Sequence, residues 1–584
     1  MSDTHLLITE NIDVWTTAIK KRSATGRGSN KKIELTGIKK LRELILELAV
    51  RGKLVPQDPN DEPASVLLEK IAAEKEQLIK DKKIKKTKTL PEIGEDEKPF
   101  GLPDGWEWER LGLVCNKITD GSHNPPKNAG EGYPMLSSQN VNFGVIDFSS
   151  PSRYVTEEDF QRENKRTSIQ VDDVLLNIVA SIGRSAVVPE NAPKFVLQRS
   201  VAVLNSKLIP HFFSKQLVSP LCLNYYTLHA KGTAQKGIYL GKLSLMPLVV
   251  PPLAEQHRIT AKVDELMALC DQLEQQTEDS ITAHQTLVET LLATLSNSGN
   301  TAEFNQNWTR IAEHFDTLFT TEHSIDQLKQ TVLQLAVMGK LVPQDPNDEP
   351  ASVLLEKIAA EKEQLIKDKK IKKQKPLPAI TEDEKPFKVP SGWEWSRLPD
   401  IGELARGKSK HRPRNDRSLY VGGTIKLVQT GDVARSNGVI ETHTALYNET
   451  GLAQSRLWPK GTMCITIAAN IADTGILSFD ACFPDSVVGF STFDKSINVK
   501  YFEYFIRTAK SNLESFAPAT AQKNINLEIL GQLLVPLPPA KELKAIVCKI
   551  DELMVLCDQL KNHLSESQIT QLHLADTLVK QATN

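Results

Sequence analysis

LAVRGKLVPQDPNDEPASVLLEKIAAEKEQLIKDKKIKK, residues 48–86, returns at residues 335–373 with Met338 in place of Arg51 and no other change. The offset is 287 residues (335 − 48), and it holds well outside the identical block. PFGLPDGWEWERL (99–111) matches PFKVPSGWEWSRL (386–398), and VDELMALCDQL (263–273) matches IDELMVLCDQL (550–560). Between these anchors the two copies have drifted apart. A tandem duplication that keeps one surface twice and varies another implies one kind of partner met twice and two different ligands met once each.

Outward from the block, GIKKLRELILELAVRGKL (37–54) carries Ile38, Leu41, Leu44, Ile45, Leu48 and Ala49 at helical spacing, and SIDQLKQTVLQLAVMGKL (324–341) is its counterpart. The breaker-rich QDPNDEP turn ends each helix, and a charged helix follows whose lysine run reads as a solvated end. Acidic, proline-bearing linkers at 91–105 and 378–392 then open onto Trp-Glu-Trp and mark domain boundaries. Beyond them, VDDVLLNIVASIGRSAVVP (171–189) and GTMCITIAANIADTGILSF (461–479) are β-branched runs broken by turns, as in hairpins of a mixed α/β domain. Each domain closes at a Pro-Pro pair, Pro251-Pro252 and Pro538-Pro539.

Next, Ile259, Val263, Leu266, Cys270 and Leu273 alternate by four and three, and so do Ile546, Ile550, Leu553, Cys557 and Leu560. That is the spacing of a coiled-coil seam, and the simplest cover for such a stripe is its own duplicate. The expected fold class is α+β: two mixed α/β domains separated by long antiparallel coiled-coil helices, with an internal pseudo-twofold tandem repeat. The expected partition is a conserved helical region (1–105), a first variable domain (106–252), a central coiled-coil helix (253–300), a second conserved helical region (301–392), a second variable domain (393–539) and a C-terminal coiled-coil helix (540–584).

Composition narrows the class. Hydrophobic residues at 40% and charged residues at 25% fit a soluble globular protein. No apolar run approaches the roughly 18 to 20 residues of a membrane span. The first residues, MSDTHLLITENIDVW, are acidic where a secretory signal needs a basic region, so a cytoplasmic protein is expected. The seven cysteines include no CxxC pair, which points away from zinc or a disulfide framework. Cys270 and Cys557, equivalent positions of the two copies, are expected to face the core. A net charge of −2 leaves nucleic-acid binding undecided, because a neutral total can hide a basic groove.

Two catalytic motifs are matched in letters but not in context. GELARGKS (402–409) fits the P-loop pattern, yet HRPRND follows where a helix N-terminus should begin. HNPPKN (123–128) resembles the loop with which adenine methylases hold a flipped base, but has Lys127 where a stacking ring is needed. What remains is polar loop chemistry suited to phosphates and base edges. In the second copy the basic loop 405–417 offers Arg406, Lys408, Lys410, Arg412 and Arg414. The first copy has Asp120, Ser122, His123 and Lys127 in the corresponding turn. Short hydrogen-bonding side chains follow a strand in both copies, Ser137, Ser138, Gln139 and Asn140 in LSSQNV and Gln429 and Thr430 in LVQTGDV, and Gln235 and Lys236 in GTAQKGI have Gln522 and Lys523 in ATAQKNI as their counterparts.

Together with PLVVPPLAEQHRI (247–259), these features resemble the specificity subunit of type I restriction-modification enzymes over essentially the whole chain. PPAKEL (538–543) departs from the PPLAEQ signal in the second copy. The resemblance implies a non-catalytic chain with two target recognition domains, each reading half of a bipartite asymmetric site in double-stranded DNA across a gap set by the helices. It also implies docking of two methyltransferase subunits and two restriction subunits, the ATP-driven translocases. S-adenosylmethionine, ATP and Mg2+ would sit on those partners, with no cofactor or metal on this chain. Two other readings stay open on the residues alone: a coiled-coil protein adaptor without sequence-specific DNA binding, and a nucleotide hydrolase built on 402–409.

Overall fold

The computed structural model describes residues 8–21, 33–84, 89–232, 235–373, 377–411, 413–468, 470–515 and 525–583. Its contacts divide the chain into two units, residues 1–281 with 566–584, and residues 282–565. The frame comprises α1 (Thr36–Val50), α2 (Ala64–Lys80), α3 (Leu253–Ser296), α4 (Glu322–Val337), α5 (Ala351–Lys367) and α6 (Ala540–Thr583). Among the described residues no helix is long and apolar enough to cross a membrane.

In the first unit the apolar stripe of α1 is buried against Ile259, Val263, Leu266, Cys270 and Leu273 of α3, together with Ala575 of α6. Polar contacts fix the directions. Arg42 of α1 pairs with Asp271 and Glu274 while Gln57, beyond its end, reaches Glu255, so α1 runs antiparallel to α3. Lys40 meets Asp576 and Arg51 meets the carbonyl of Thr583, so α1 runs parallel to the end of α6. Within this unit α3 and α6 are therefore antiparallel.

The second unit repeats the arrangement with α4 in place of α1. Leu328, Val332 and Leu335 cluster with Leu553, Cys557 and Leu560 of α6 and with Val288, Leu292 and Leu295 of α3. Ile546 and Ile550 join the cluster that holds Leu333, Ala336 and Val337. The seam stripes are thus not closed by their own duplicates, as their spacing suggested. Each is covered by the short helix of its own repeat, whose stripe is equally apolar and equally in need of burial, and only the far end of the other long helix completes the cluster. Cys270 and Cys557 are both buried, as expected of core-facing thiols.

The first variable domain contains β1 (Glu107–Arg110), β2 (Cys115–Asp120), β3 (Tyr133–Leu136), β4 (Arg153–Val155), β5 (Val174–Asn177), β6 (Ser185–Val187), β7 (Val196–Leu197), β8 (Val201–Ser206) and β9 (Pro247–Val250). They form sheets of order β2-β8-β5-β6, β4-β3-β7 and β1-β9, with β3 and β7 parallel. The second contains β10 (Glu394–Arg397), β11 (Gly402–Arg406), β12 (Ile425–Leu427), β13 (Gly438–Ile440), β14 (Ala445–Tyr447), β15 (Leu457–Trp458), β16 (Met463–Thr466), β17 (Thr474–Leu477), β18 (Ala481–Cys482), β19 (Val487–Thr492) and β20 (Leu534–Leu537). Its sheets, β11-β19-β16-β17-β13, β14-β12-β18-β15 and β10-β20, repeat the first topology with one strand added to each larger sheet. The two hairpins expected from the β-branched runs are β5-β6 and β16-β17. The first and last strands of each domain pair antiparallel, which brings the Trp-Glu-Trp entry beside the Pro-Pro exit.

The linker at 91–105 is a packed strap. Arg110, almost fully buried, donates to Glu97 and to the carbonyls of Pro91 and Glu92, and its hydrogen bonds hold the Glu97 carboxyl down to about 2. Arg397 makes the same pair with Glu384. At the entry, the Trp106 indole donates to the Glu255 carboxylate at 2.9 Å, and Gln57 donates to its other oxygen at 3.0 Å. Trp393, Gln344 and Glu542 reproduce this at 2.9 and 3.1 Å. PPLAEQ and PPAKEL therefore share the one side chain that the fold requires. The neighbouring cation has moved: Arg258 pairs with Asp61 in one copy, and Lys541 with the equivalent Asp348 in the other.

Replacing Glu255 or Glu542 by alanine strands the buried indole N–H of Trp106 or Trp393 and removes one acceptor of the exposed Gln57 or Gln344. Each substitution is expected to destabilise its own unit by about 1–3 kcal/mol, seen as a lowered urea midpoint.

Candidate nucleic-acid interface

The loops singled out by their polar residues meet on one surface of the first variable domain, and a glycine decides how. After β2, Gly121 passes so close to the chain that a Cβ there would lie 2.2 Å from the carbonyl oxygen of Leu197 and 2.5 Å from that of Gln198. Only glycine fits such an approach. Ser122 then donates its N–H to Leu197 at 2.7 Å and accepts from the N–H of Arg199 at 2.9 Å. Ser138 takes the hydroxyl of Ser200 as acceptor for its own N–H at 3.1 Å, and its carbonyl accepts from Asn177 at 2.8 Å. Lys231 and Gly237 exchange backbone bonds across the loop that bears Gln235 and Lys236, and the Lys236 carbonyl accepts from Ala180. Segments 198–200 and 177–180 thus tie the three polar loops into one surface.

Within that surface the candidate residues separate into two groups. Asp120 is buried and both its oxygens are already engaged, one with His123 at 2.8 Å and the other with the Arg166 guanidinium. Ser122 and Ser137 are buried, and Asn140 closes a turn by accepting from the N–H of Ser137 and donating to the carbonyls of Asp147 and Ser150. Ser138 is half-buried. His123, Lys127, Gln139, Gln235 and Lys236 are exposed and face outward. Short polar side chains that looked like readers in the sequence are in large part the carpentry of the loops, because a buried turn needs its N–H groups satisfied.

The second domain keeps the carpentry and changes the chemistry. Gly407 makes the same crossing, with a Cβ placed 2.2 Å from the Phe483 carbonyl oxygen and 2.4 Å from that of Pro484. Gly402 opens a strand, and the described residues directly after Ser409 are turn and coil up to the short 3-10 helix at Arg417–Leu419, not the start of an α-helix, so 402–409 lacks the context of a phosphate-binding loop. Asp432 plays the part of Asn140, accepting from the N–H of Gln429 at 2.9 Å and from Thr444 and Arg435. Gln429 is exposed and Thr430 half-buried.

Arg406, Lys408 and Lys410 are exposed, whereas Arg414 pairs with Asp485 at 2.6 Å. Asp416 organises this basic loop, its carboxyl held down to about 2 by the N–H of Ser418 and by His411, which lies 2.8 Å away. Arg412, Gln522 and Lys523 lie outside the described residues. Among the described residues no group of His, Cys, Asp and Glu could hold a metal ion.

The model of the type I restriction modification DNA specificity domain matches residues 103–283 and again 390–571. The specificity subunit of the type I restriction enzyme EcoAI from Escherichia coli is 40% identical over 99% of both chains, and that of EcoEI, also from Escherichia coli, is 40% identical over the same shares. The chain belongs to the family of type I restriction enzyme specificity subunits. A crystal structure of the HsdS subunit from Thermoanaerobacter tengcongensis is also similar, at 17% identity and a TM-score of 0.42, covering 83% of this chain and 98% of that one. Each family match starts just before a Trp-Glu-Trp entry, passes through a variable domain and ends inside a long helix.

In this family member the loop surface offers further residues that sequence reading passed over, Arg166 and Arg199 above all. For Arg199 it is the superposed glycine crossings that supply the signal, by aligning QRSVAVL (198–204) with PDSVVGF (484–490). Gly121→Ala is expected to spread the crossing and cost the first unit about 1–3 kcal/mol, measured by urea denaturation. Gly407→Ala should do the same to the second.

Proposed function

We propose that this chain is the non-catalytic specificity subunit of a type I restriction-modification complex, in which each variable domain reads one half of a bipartite, asymmetric DNA target. The observation that carries this reading is the contrast at the crossings: the same glycine and the same pinned turns, surrounded by different outward side chains. A scaffold that is kept while its exposed chemistry changes suits two different base sequences better than one protein ligand. The outward groups are those of nucleic-acid readers, with lysines and arginines for phosphates and guanine and glutamines for adenine. By this reading the DNA-facing set is His123, Lys127, Gln139, Gln235 and Lys236 in one domain and Arg406, Lys408, Lys410 and Gln429 in the other.

The repeated block supplies the partner surface. Burial accounts for the identity of Ala64, Leu67 and Ile71 with Ala351, Leu354 and Ile358, but Ser65, Glu69, Lys70, Glu76 and Gln77 are exposed and are repeated as well. An exposed face kept letter for letter fits two copies of one protein, here two methyltransferase subunits, with two restriction subunits completing a cytoplasmic complex. S-adenosylmethionine, ATP and Mg2+ then belong to those partners. The antiparallel helices would hold the domains in a pseudo-twofold arrangement and set the gap between half-sites, as spacing does in dimeric DNA readers.

Exchanging residues 106–252 for the domain of a divergent relative should change one half of the methylated motif and leave the other intact, as read by genome-wide mapping of methylated adenine. A change in both halves would end the modular reading. One added heptad after Leu273 and after Leu560 should widen the gap with both half-sites unaltered, and an unchanged gap would remove the helices from that role. The adaptor reading predicts no sequence-specific footprint at any salt concentration, even with the methyltransferase present.

A further inference from the structure

The two glycine crossings are chemically inverted. Superposing Gly121 on Gly407, and the strand starts Val201 and Val487 that bond to them, places Asp120 opposite Arg406 and Arg199 opposite Asp485. In the first domain the acid is on the first loop and the arginine on the second; in the second domain the order is reversed.

Each acid is already occupied by an arginine from elsewhere, Asp120 by Arg166 and Asp485 by Arg414. Each crossing is left with one exposed arginine, Arg199 or Arg406, that has no hydrogen-bond or ion-pair partner for its side chain among the described residues. A surface arginine without a task has no reason to be supplied from the opposite loop when the first is lost.

We propose that Arg199 and Arg406 are the guanine-reading residues of the two domains, each directing its guanidinium at the N7 and O6 acceptors of one guanine in its half-site. The inference rests on the DNA-reading function proposed above and names the residues that set it. Bidentate arginine contact with guanine needs a fixed mount, and Arg199 has one. Its N–H is bonded to Ser122, the carbonyl of the following Ser200 accepts from Ile178 at 2.9 Å, and Gln198 before it donates to Ser152 at 2.8 Å. Arg406 is the last residue of β11, in register with Val488. Lys127, Lys231 and Lys236 lie exposed on the loops of the first domain, where they can track phosphates without such constraint. Because the two arginines sit on opposite loops, the guanines they read occupy different places in the two half-sites.

The test uses the full complex with its methyltransferase, comparing the methylated motif of the parent with Arg199→Ala, Arg199→Lys and Arg406→Ala. Arg199→Ala and Arg199→Lys are each expected to lose discrimination at a single guanine of the first half-site, by roughly 10- to 100-fold, with the second half-site unchanged. Arg406→Ala should do the reverse. The untouched half-site in the same molecule shows that the variant is folded and assembled.

An unaltered motif with affinity lowered equally on all sequences, and a salt slope reduced by about one, would make the residue a phosphate contact and overturn the proposal. A parent complex that methylates no bipartite motif would instead overturn the function on which the proposal rests, so the two failures are distinct.

Discussion

One buried tryptophan-carboxylate bond in each copy, Trp106 to Glu255 and Trp393 to Glu542, joins the frame to the variable domain. Glu255 is the point at which the first turn of α3, the entry of the variable domain through Trp106 and the end of the repeated helix through Gln57 converge. Burial pushes its carboxyl up, and the two donors, with the charge of Arg258 nearby, oppose that shift. Glu542 repeats the balance. With the base of the domain clasped by β1 and β9 and strapped by Arg110, the far end can change its loops without loosening its attachment. The energetic separation of base from tip is what lets the two domains diverge.

At the tip the same economy of constraint recurs. Gly121 and Gly407 are set by sterics, and Asn140 and Asp432 by the need to satisfy a buried turn, while outward side chains such as Lys127, Gln139 and Lys408 stand exposed, outside those constraints. Lys75 shows the boundary between the two regimes on the frame side. It is buried and donates to the carbonyls of Gly112 and Cys115, and Lys362 reaches the equivalent Pro399. A lysine whose charge is spent on backbone carbonyls of the adjoining domain is structural, although in sequence it belongs to a helix of apparently solvated charges.

Much of this was legible in the residues. The duplication, the helices, the two hairpins and the family resemblance all follow from patterns that burial imposes with fixed period. Two things were not legible. The cover of the seam depended on which of several apolar stripes lie side by side, and stripes of equal period carry no label for their partner. The division of the polar loop residues into turn-makers and outward groups depended on hydrogen bonds between segments far apart in sequence, such as Ser138 with Ser200 or Asp120 with Arg166. Arg199 escaped notice for the same reason: a single arginine after a two-residue strand has no local signature, and it becomes conspicuous only beside the glycine that brings 121 and 197 together.

The charge balance follows from the same geometry. A net charge of −2 would repel DNA if it were spread evenly, yet the acids at the crossings are consumed by Arg166 and Arg414, leaving the outward groups cationic or neutral. Other acids of the frame are spent on pairs that fix helix direction, Asp271 and Glu274 on Arg42, Asp558 on Lys329. Lys561 stands where Glu274 stands in the first copy and pairs instead with Asp326, so even a reversed charge has been matched within its own repeat. Neutrality of the whole is thus compatible with cationic outward groups, because the acids at the crossings and several on the helices are paired with cations of their own copy.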